Sequence, residues 1–181
     1  MPSVVTIAGS PTHPSRSAGL LNYAAQQLEQ AGLHVQPIIV RDLPAEALIH
    51  GRYDDQTIQA ATAGITAARG VIVATPVYKA TYTGVLKTFL DLCPAGALAG
   101  KVVMPLVTGG SASHSLALEY GLKPVLAALG AGLIVNGQYF MDSQIEVVNG
   151  TELNFKDQEA EAKFRASLDA FAAYIAGLTQ K

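Results

Sequence analysis

Short apolar runs alternate with helical patterns along the chain, and this alternation limits the possible folds more than any other feature. Each run is apolar throughout, as is typical of strands that are covered on both faces. Strands separated by helices pair in parallel, and the helices pack on both faces of the sheet. The sequence therefore predicts an α/β fold with a five-stranded parallel sheet. The predicted strands span residues 4–7, 33–40, 71–74, 102–107 and 133–135, and the predicted helices lie near 20–28, 55–69, 84–93, 116–129 and 159–178.

The composition indicates one well-packed domain. Half of the 181 residues are hydrophobic and 14% are charged, so much of the chain must be buried, and we expect residues 1–181 to form a single domain. The formal net charge of −2 provides no basic surface for nucleic acid or a membrane, and no apolar run has membrane-spanning length. Residues 1–3 lead directly into the first strand without a cleavable apolar leader, so we expect a cytoplasmic protein.

Neither a disulfide nor a metal centre is predicted. The single cysteine, Cys93, lies in an apolar run, where a buried structural thiol is expected. The four histidines are scattered along the chain, and no carboxylate pair or Ser–His–Asp arrangement follows from the spacing of the motifs. We therefore assign no catalytic acid or base and no metal ligand.

The loop after the first strand carries hydroxyl groups and one guanidinium directly before a helix: Ser10, Thr12, Ser15, Arg16 and Ser17. A helix start presents unpaired N–H groups and the positive end of its dipole, which favour an anion. Hydroxyl and guanidinium donors around it suit a phosphate monoester. The dinucleotide fingerprint and the P-loop are both absent. The loop is therefore typical of mononucleotide binding, or else it is an ordinary connection with Ser17 as the helix cap.

Two further loops are expected at the same end of the sheet, because the carboxyl ends of parallel strands lie together. Residues 75–84 supply two tyrosines, a lysine and free backbone amides, which suit a flat heterocycle. Residues 108–114 contain two consecutive glycines, whose missing Cβ atoms let the backbone approach a ligand closely. The alternative is that the tyrosines are packing residues and that His114 begins a helix.

Four stretches between residues 8 and 126 carry a resemblance to a known family. They are AGSPTHPSRSAGLL, VIVATPVYKATYTGVLKTFLDL, GKVVMPLVTGGSASH and ALEYGLKPVL. The chain resembles the NADPH-dependent FMN reductases among the flavodoxin-like proteins, and specifically the flavin reductases that serve two-component alkanesulfonate monooxygenases. The resemblance implies a flavodoxin-like three-layer sandwich whose five parallel strands have the order 2-1-3-4-5.

The resemblance also implies roles for the three loops. FMN would lie with its phosphate in the first loop and its ring between the other two; NADPH or NADH would pass a hydride to the ring without an acid–base pair. Reduced FMN would then leave for a partner monooxygenase. Many relatives carry an arginine where this chain has Thr12, and its absence suits a flavin that binds modestly and leaves. The implied FMN-binding residues are Ser10, Ser15, Arg16 and Ser17 at the phosphate, with Pro76, Val77, Tyr78, Lys79, Thr108, Gly109, Gly110 and His114 around the ring.

Two other functions remain open on the sequence alone. The first is an enzyme that keeps FMN bound and reduces quinones or azo dyes in alternating half-reactions. The second is an electron-carrying flavodoxin. It is disfavoured because the net charge is nearly neutral, and because the stretch Gly-Gly-Ser-Ala has no aromatic side chain to cover the second face of the flavin.

The predicted helix at 116–129 contains an interruption. Gly121 and Pro124 lie inside it, and proline cannot donate to the regular hydrogen-bond ladder, so the helix should kink or widen near Tyr120. A π-bulge is one such widening. The resemblance implies that Tyr120 forms a π-bulge at a subunit interface of a homodimer or homotetramer. The alternative is a tyrosine that packs in a proline-kinked helix.

Residues 142–157 fit neither the strand pattern nor the helix pattern. Asn149-Gly150 is a typical hairpin turn, so this segment is expected either to form a small hairpin or to be a mobile excursion.

Overall fold

The computed structural model describes residues 4–135 and 137–178, so the expectation for residues 1–3 lies outside the described part. The strands are Val4–Ala8 (β1), Val35–Ile39 (β2), Gly70–Pro76 (β3), Val102–Gly109 (β4), Leu133–Ile134 (β5), Gln138–Met141 (β6), Ile145–Val148 (β7) and Glu152–Phe155 (β8). The α-helices are Arg16–Gln30 (α1), Ala45–Ile49 (α2), Gln56–Ala67 (α3), Gly84–Leu90 (α4), Lys123–Ala128 (α5) and Gln158–Gly177 (α6). Within this described part, no helix has the length and apolar character needed to cross a membrane.

The main sheet is parallel and has the order β2-β1-β3-β4-β5, which confirms the predicted order. The last position is shared by two strands, because β5 pairs with β4 up to Val103 and β6 pairs with it from Leu106 onward. Pro105 lies between these stretches, and its backbone nitrogen has no hydrogen to donate to a neighbouring strand. The sequence missed β6, a four-residue edge strand in which only Phe140 is buried.

Helices cover both faces of this sheet and divide the core into two layers. Successive residues of a strand point to opposite faces. Val71 and Val73 therefore pack in the layer of α3 and α4, whereas Ile72 and Ala74 pack in the layer of α1 and α6. Burial of one large apolar side chain in such a layer contributes about 1.5–3 kcal/mol. This is the predicted three-layer sandwich. The predicted inward face of α6 is confirmed by the burial of Phe164, Leu168, Phe171 and Ile175.

Several predicted boundaries differ from the observed ones by one to three residues, and at two of them a local hydrogen bond gives the reason. β2 begins at Val35 and not at Leu33, because the Leu33 N–H donates to the Leu28 carbonyl (3.0 Å) and completes the end of α1. α4 ends at Leu90 and not at Cys93, because the Cys93 N–H closes a turn onto the Leu90 carbonyl (3.2 Å).

Residues 142–157 contain an antiparallel hairpin of β7 and β8, so the first of the two predicted alternatives is confirmed and the second is wrong. Asn149 (φ 50°) and Gly150 (φ 82°) adopt the left-handed conformation that its turn requires. The hairpin lies against α1, since a Cβ placed on Gly19 would be 3.0 Å from Cδ1 of Leu153. This contact brings the hairpin next to the start of α1.

The predicted helix at 116–129 is divided into a π-helix, Ala117–Leu122, and the α-helix α5. A 3₁₀ turn, Ala112–Ser115, precedes them. The predicted widening near Tyr120 is therefore confirmed. Pro124 lies in the first turn of α5, directly after the π-helix, so its missing N–H falls where the helix changes from the π to the α pattern.

Candidate active site

The loops after β1, β3 and β4 meet at the carboxyl end of the sheet, as expected for neighbouring parallel strands. Backbone hydrogen bonds fix their mutual positions. The Gly9 N–H donates to Ala74 O (2.8 Å), the Val77 N–H to Thr108 O (2.8 Å), and the Asp142 N–H to Gly109 O (2.9 Å). These bonds join all three loops to the end of β6.

The three loops surround a cavity of about 200 Å³. It is lined by ten of the twelve predicted site residues; Ser17 and Lys79 do not line it. The lining consists of Ser10, Thr12, Pro14, Ser15, Arg16, Pro76, Val77, Tyr78, Thr108, Gly109, Gly110, His114 and Asp142. A larger cleft of about 440 Å³, between β6 and the start of α6, contains none of the predicted residues. We therefore take the smaller cavity as the candidate active site.

The start of α1 faces this cavity. Ser15 is the N-cap, with extended backbone (φ −143°), and its Oγ accepts from the Ala18 N–H at 3.5 Å. The alternative of Ser17 as the cap was wrong, because Ser17 already lies inside the first turn. Its fully buried hydroxyl is 2.9 Å from that of Ser15, so Ser17 supports the Ser15 side chain from below.

A local hydrogen bond also orders the first half of the loop. The buried Oγ of Ser10 accepts from the Thr12 N–H at 3.2 Å, which closes a serine turn before the helix. The hydroxyls of Ser10 and Thr12 lie 3.3 Å apart. The loop therefore presents hydroxyl groups to the cavity from a preformed backbone.

Arg16 is the only arginine or lysine among the described residues that line the cavity. Its Nε donates to the Ile145 carbonyl at 3.3 Å, and its Nη1 lies 3.9 Å from Oδ2 of Asp142. The hairpin and the end of β6 thus set its position. The sequence missed Asp142, because the residue belongs to the segment for which no structure was assigned.

The loop after β3 contains a tight two-residue turn. Tyr78 and Thr81 exchange both backbone hydrogen bonds (2.9 and 3.3 Å), with Lys79 (φ 50°) and Ala80 (φ 70°) between them. Left-handed conformations at non-glycine residues cost of order 1 kcal/mol or more, and they cluster at functional sites. The turn leaves Lys79 exposed and outside the cavity lining.

The turn is also in close contact with the π-helix. A Cβ placed on Gly121 would lie 2.5 Å from Oγ1 of Thr81, so the absence of a side chain at this position permits the approach. The widened helix therefore touches the loop that borders the cavity.

The loop after β4 is shaped by two aromatic side chains. A Cβ placed on Gly109 would lie 2.8 Å from the hydroxyl oxygen of Tyr139 and 3.2 Å from Nδ1 of His114. The Tyr139 hydroxyl donates to Ser111 O at 2.6 Å, and burial raises its pKa. The Nδ1 atom of His114 is buried without a hydrogen-bond partner among the described residues. His114 lines the cavity, and this buried nitrogen lies beside Gly109 of the glycine loop.

Comparison with known proteins identifies the family. Residues 2–146 match the family described as NADPH-dependent FMN reductase. The chain belongs to this family. It is 45% identical over 173 residues to an FMN reductase (NADPH) of Pseudomonas putida, covering 96% of this chain and 88% of that protein. It is 49% identical over 142 residues to an FMN reductase (NADPH) of Escherichia coli K12, covering 78% and 74% respectively.

Solved structures agree with this assignment. The apo form of an NADH:FMN oxidoreductase superposes with a TM-score of 0.84 at 38% identity and covers 96% of this chain and 90% of that one. An archaeal flavodoxin superposes with a TM-score of 0.61 at 11% identity, covers 96% of this chain and 98% of that one, and so shares the fold. The predicted family, the flavodoxin-like fold and the enzyme class, an NAD(P)H-dependent FMN reductase, are confirmed.

Proposed function

We propose that this FMN reductase binds FMN in the cavity as an exchangeable substrate and releases FMNH₂ to a partner flavin-dependent monooxygenase. The observation that carries the proposal is the convergence of ten predicted FMN-binding residues on one cavity. When bound, FMN accepts the hydride of NADPH or NADH, with one solvent proton, and carries both electrons away. The protein then has to hold the flavin in the correct orientation, leave one ring face open and let the product go.

The phosphate end of FMN fits the start of α1. Ser10 and Ser15 present hydroxyls, Arg16 presents a guanidinium, and the first N–H groups of the helix point the same way. In this proposal Ser17 acts through Ser15, whose hydroxyl it contacts.

The ring end fits the space between residues 76–78 and 108–110. Around Gly110 this space is open, because a Cβ placed there would meet only Oδ2 of Asp142, at 3.8 Å. The unpartnered Nδ1 of His114 and the backbone of the glycine loop suit the polar edge of an isoalloxazine. Lys79, outside the lining, borders the entrance in this proposal.

The cavity offers few strong contacts to a flavin, and this favours its exchange. One arginine serves the phosphate, and a carboxylate lies 3.9 Å from that arginine. Residues 109–112 contribute no aromatic ring, and Tyr78 is half-exposed. These features suit binding that is strong enough for turnover and weak enough for release.

The decisive measurement is made on the purified protein with both nicotinamides. We expect a colourless protein that oxidises NADPH or NADH only when FMN is added, with saturable dependence on FMN. Adding an alkanesulfonate-type monooxygenase with its sulfonate and oxygen should then yield oxidised product that requires the reductase. A folded protein without FMN-dependent oxidation would contradict the proposal. A yellow protein that keeps its flavin while it reduces quinones would favour the FMN-retaining alternative.

We further propose that the π-helix contributes to a homodimer or homotetramer interface. Tyr120 in the π-helix is 80% exposed, and Leu116, the residue before the π-helix, is 58% exposed, so two large side chains of this segment face the outside. Protein–protein contacts favour such residues, tyrosine in particular.

Removal of Tyr120 tests this interface and its link to flavin exchange. Both Tyr120→Ala and a deletion of Tyr120 should leave a yellow protein that retains flavin, loses FMN turnover and changes its mass in solution. Tyr174→Ala, which truncates another exposed tyrosine, on α6, is the matched control. Colourless Tyr120 variants with normal turnover and unchanged mass would show that Tyr120 has no such role.

A further inference from the structure

A carboxylate lies inside the proposed phosphate site. The Asp142 N–H is fixed to Gly109 O (2.9 Å), and its Oδ2 lies 3.9 Å from Nη1 of Arg16 and 3.8 Å from a Cβ placed on Gly110. Asp142 is the only acidic residue among the described residues that line the cavity. The carboxylate therefore lies between the arginine and the glycine loop.

The charges of Asp142 and Arg16 cancel where an anion is expected to bind. The two side chains are 41% and 45% exposed, and an ion pair of this kind is weak enough to be opened by a competing anion. A phosphate monoester carries close to two negative charges at neutral pH. Arg16 would attract this phosphate and Asp142 would repel it, and the phosphate and the carboxylate would share the guanidinium of Arg16.

We propose that Asp142 sets the affinity for FMN: its carboxylate shares Arg16 with the flavin phosphate, weakens binding and so favours release of the reduced flavin. This inference rests on the proposed phosphate site at Arg16. Riboflavin has no phosphate, so the sharing of Arg16 does not act on its binding.

The chain provides a matched control for the charge. Glu146, on β7, also lies in the electrostatic field of Arg16. It does not line the candidate active site; it borders a neighbouring cleft on the other side of Ser15 and Arg16. Hydrogen bonds from Lys156 (2.6 Å) and Asn154 (2.9 Å) and the charge of Arg16 lower its pKa. Glu146→Gln therefore removes one negative charge near Arg16 and leaves the cavity unchanged.

The test is a titration of FMN and riboflavin against Asp142→Asn, Glu146→Gln, Arg16→Ala and the double variant of Arg16 and Asp142. Asp142→Asn should bind FMN about three- to tenfold more tightly, with a lower KM for FMN and a lower kcat where release limits turnover. Its riboflavin affinity should not change, and the gain should shrink at high salt. In the Arg16→Ala background the gain should largely disappear.

The outcomes separate this inference from the function on which it rests. If Arg16→Ala leaves the preference for FMN over riboflavin intact, the proposed phosphate site is wrong. If Arg16→Ala weakens FMN binding but Asp142→Asn does not strengthen it, Asp142 has no such role and the site stands. An equal gain from Glu146→Gln, or a full gain without Arg16, would also overturn the sharing of the guanidinium.

Discussion

The two ends of the sheet differ in how their buried polar groups are hydrogen-bonded. At the amino end these groups bond to other parts of the chain, whereas at the carboxyl end a buried histidine nitrogen beside the cavity has no described partner. Before β4, the Val102 N–H donates to Arg69 O (3.0 Å). The buried Lys101 donates through Nζ to Thr66 O (2.9 Å) and Ala68 O (2.8 Å), which closes the end of α3. At the other end, His114 keeps a buried nitrogen without a described partner.

The carboxyl end of the sheet also has the less regular backbone. The carboxyl end contains the left-handed Lys79 and Ala80 and a six-residue π-helix, both of which are less stable than regular turns and α-helices. Strain of this kind persists where the surrounding core holds it in place. We therefore expect substitutions at the carboxyl end to change flavin binding. Substitutions at the amino end should change only the stability, if they have an effect.

The largest expected effect concerns Cys93, which follows α4 at the amino end. Burial, followed by the charge of Asp91, raises its pKa from 9.0 to about 12. The thiolate is the reactive form, and the fall in its fraction outweighs the higher nucleophilicity of a less acidic thiol. At neutral pH the folded protein should therefore react with a disulfide reagent roughly thirty- to sixtyfold more slowly than an ordinary thiol. The rate should keep rising with pH beyond 9.

The free energy of unfolding should also depend on the ionisation of Cys93. Because the folded pKa is raised, the unfolded chain loses the thiol proton first, so the free energy of unfolding should fall as the pH rises from about 9 towards 12. Protein unfolded in denaturant serves as the control for the reaction rate. A native rate near pH 8 within tenfold of the unfolded rate would show that this end of the sheet is open.

Arg16→Ala tests the carboxyl end and should have the next largest effect. Loss of the charge-assisted hydrogen bonds to a phosphate costs on the order of 1.5–3 kcal/mol, which is roughly ten- to a hundredfold in FMN affinity. Riboflavin affinity and the midpoint of thermal unfolding should stay close to those of the original protein. Arg52→Ala, at an exposed arginine outside the cavity lining, is the control. An equal loss for FMN and riboflavin would show that Arg16 does not meet the phosphate.

Lys101→Met tests the amino end of the sheet and should lower the stability of the protein without changing flavin binding. The methionine keeps the apolar stem but leaves the carbonyls of Thr66 and Ala68 without their donor, at a cost of about 2 kcal/mol in the free energy of unfolding. The KM for FMN should not change. Denaturant unfolding measures the first quantity and steady-state kinetics the second. Lys163→Met, at an exposed lysine paired with Glu159, should lower the free energy of unfolding far less than Lys101→Met does, because a solvent-exposed ion pair contributes little. Equal losses for both variants would contradict the internal role of Lys101.

The same contrast explains what the sequence could predict. The apolar strands β1, β3 and β4 are buried on both faces, so their pattern predicts the sheet, and the sheet predicts which loops meet. Most of the candidate site follows from that step. Ser10, Arg16, Gly109 and His114 lie at the cavity because their strands end there.

The remaining part of the site depends on structure that has no strong local signal. Asp142 reaches the cavity from the residue after β6, and Tyr139, inside this short edge strand, packs against Gly109 of the loop after β4. Ser17 stays a prediction as a phosphate contact; the structure buries its side chain in the first turn of α1, behind the cavity lining. Lys79 was predicted beside the ring, yet the left-handed turn keeps it out of the cavity lining.

The smallest expected effect is also the most specific, because it tests whether the π-helix positions the cavity. Gly121→Ala would bring a Cβ to 2.5 Å from Oγ1 of Thr81, so Thr81 would have to move, and with it the turn that it closes with Tyr78. We expect the KM for FMN to rise about threefold to tenfold, because part of the overlap is relieved by rotation of the threonine. Thr81→Ala removes Oγ1 and should restore the KM in the double variant. Gly132→Ala, at the amino end before β5, meets no atom within 4 Å and should change nothing. If Gly121→Ala behaves like Gly132→Ala, or if Thr81→Ala fails to compensate, the π-helix does not position the flavin loop through this contact.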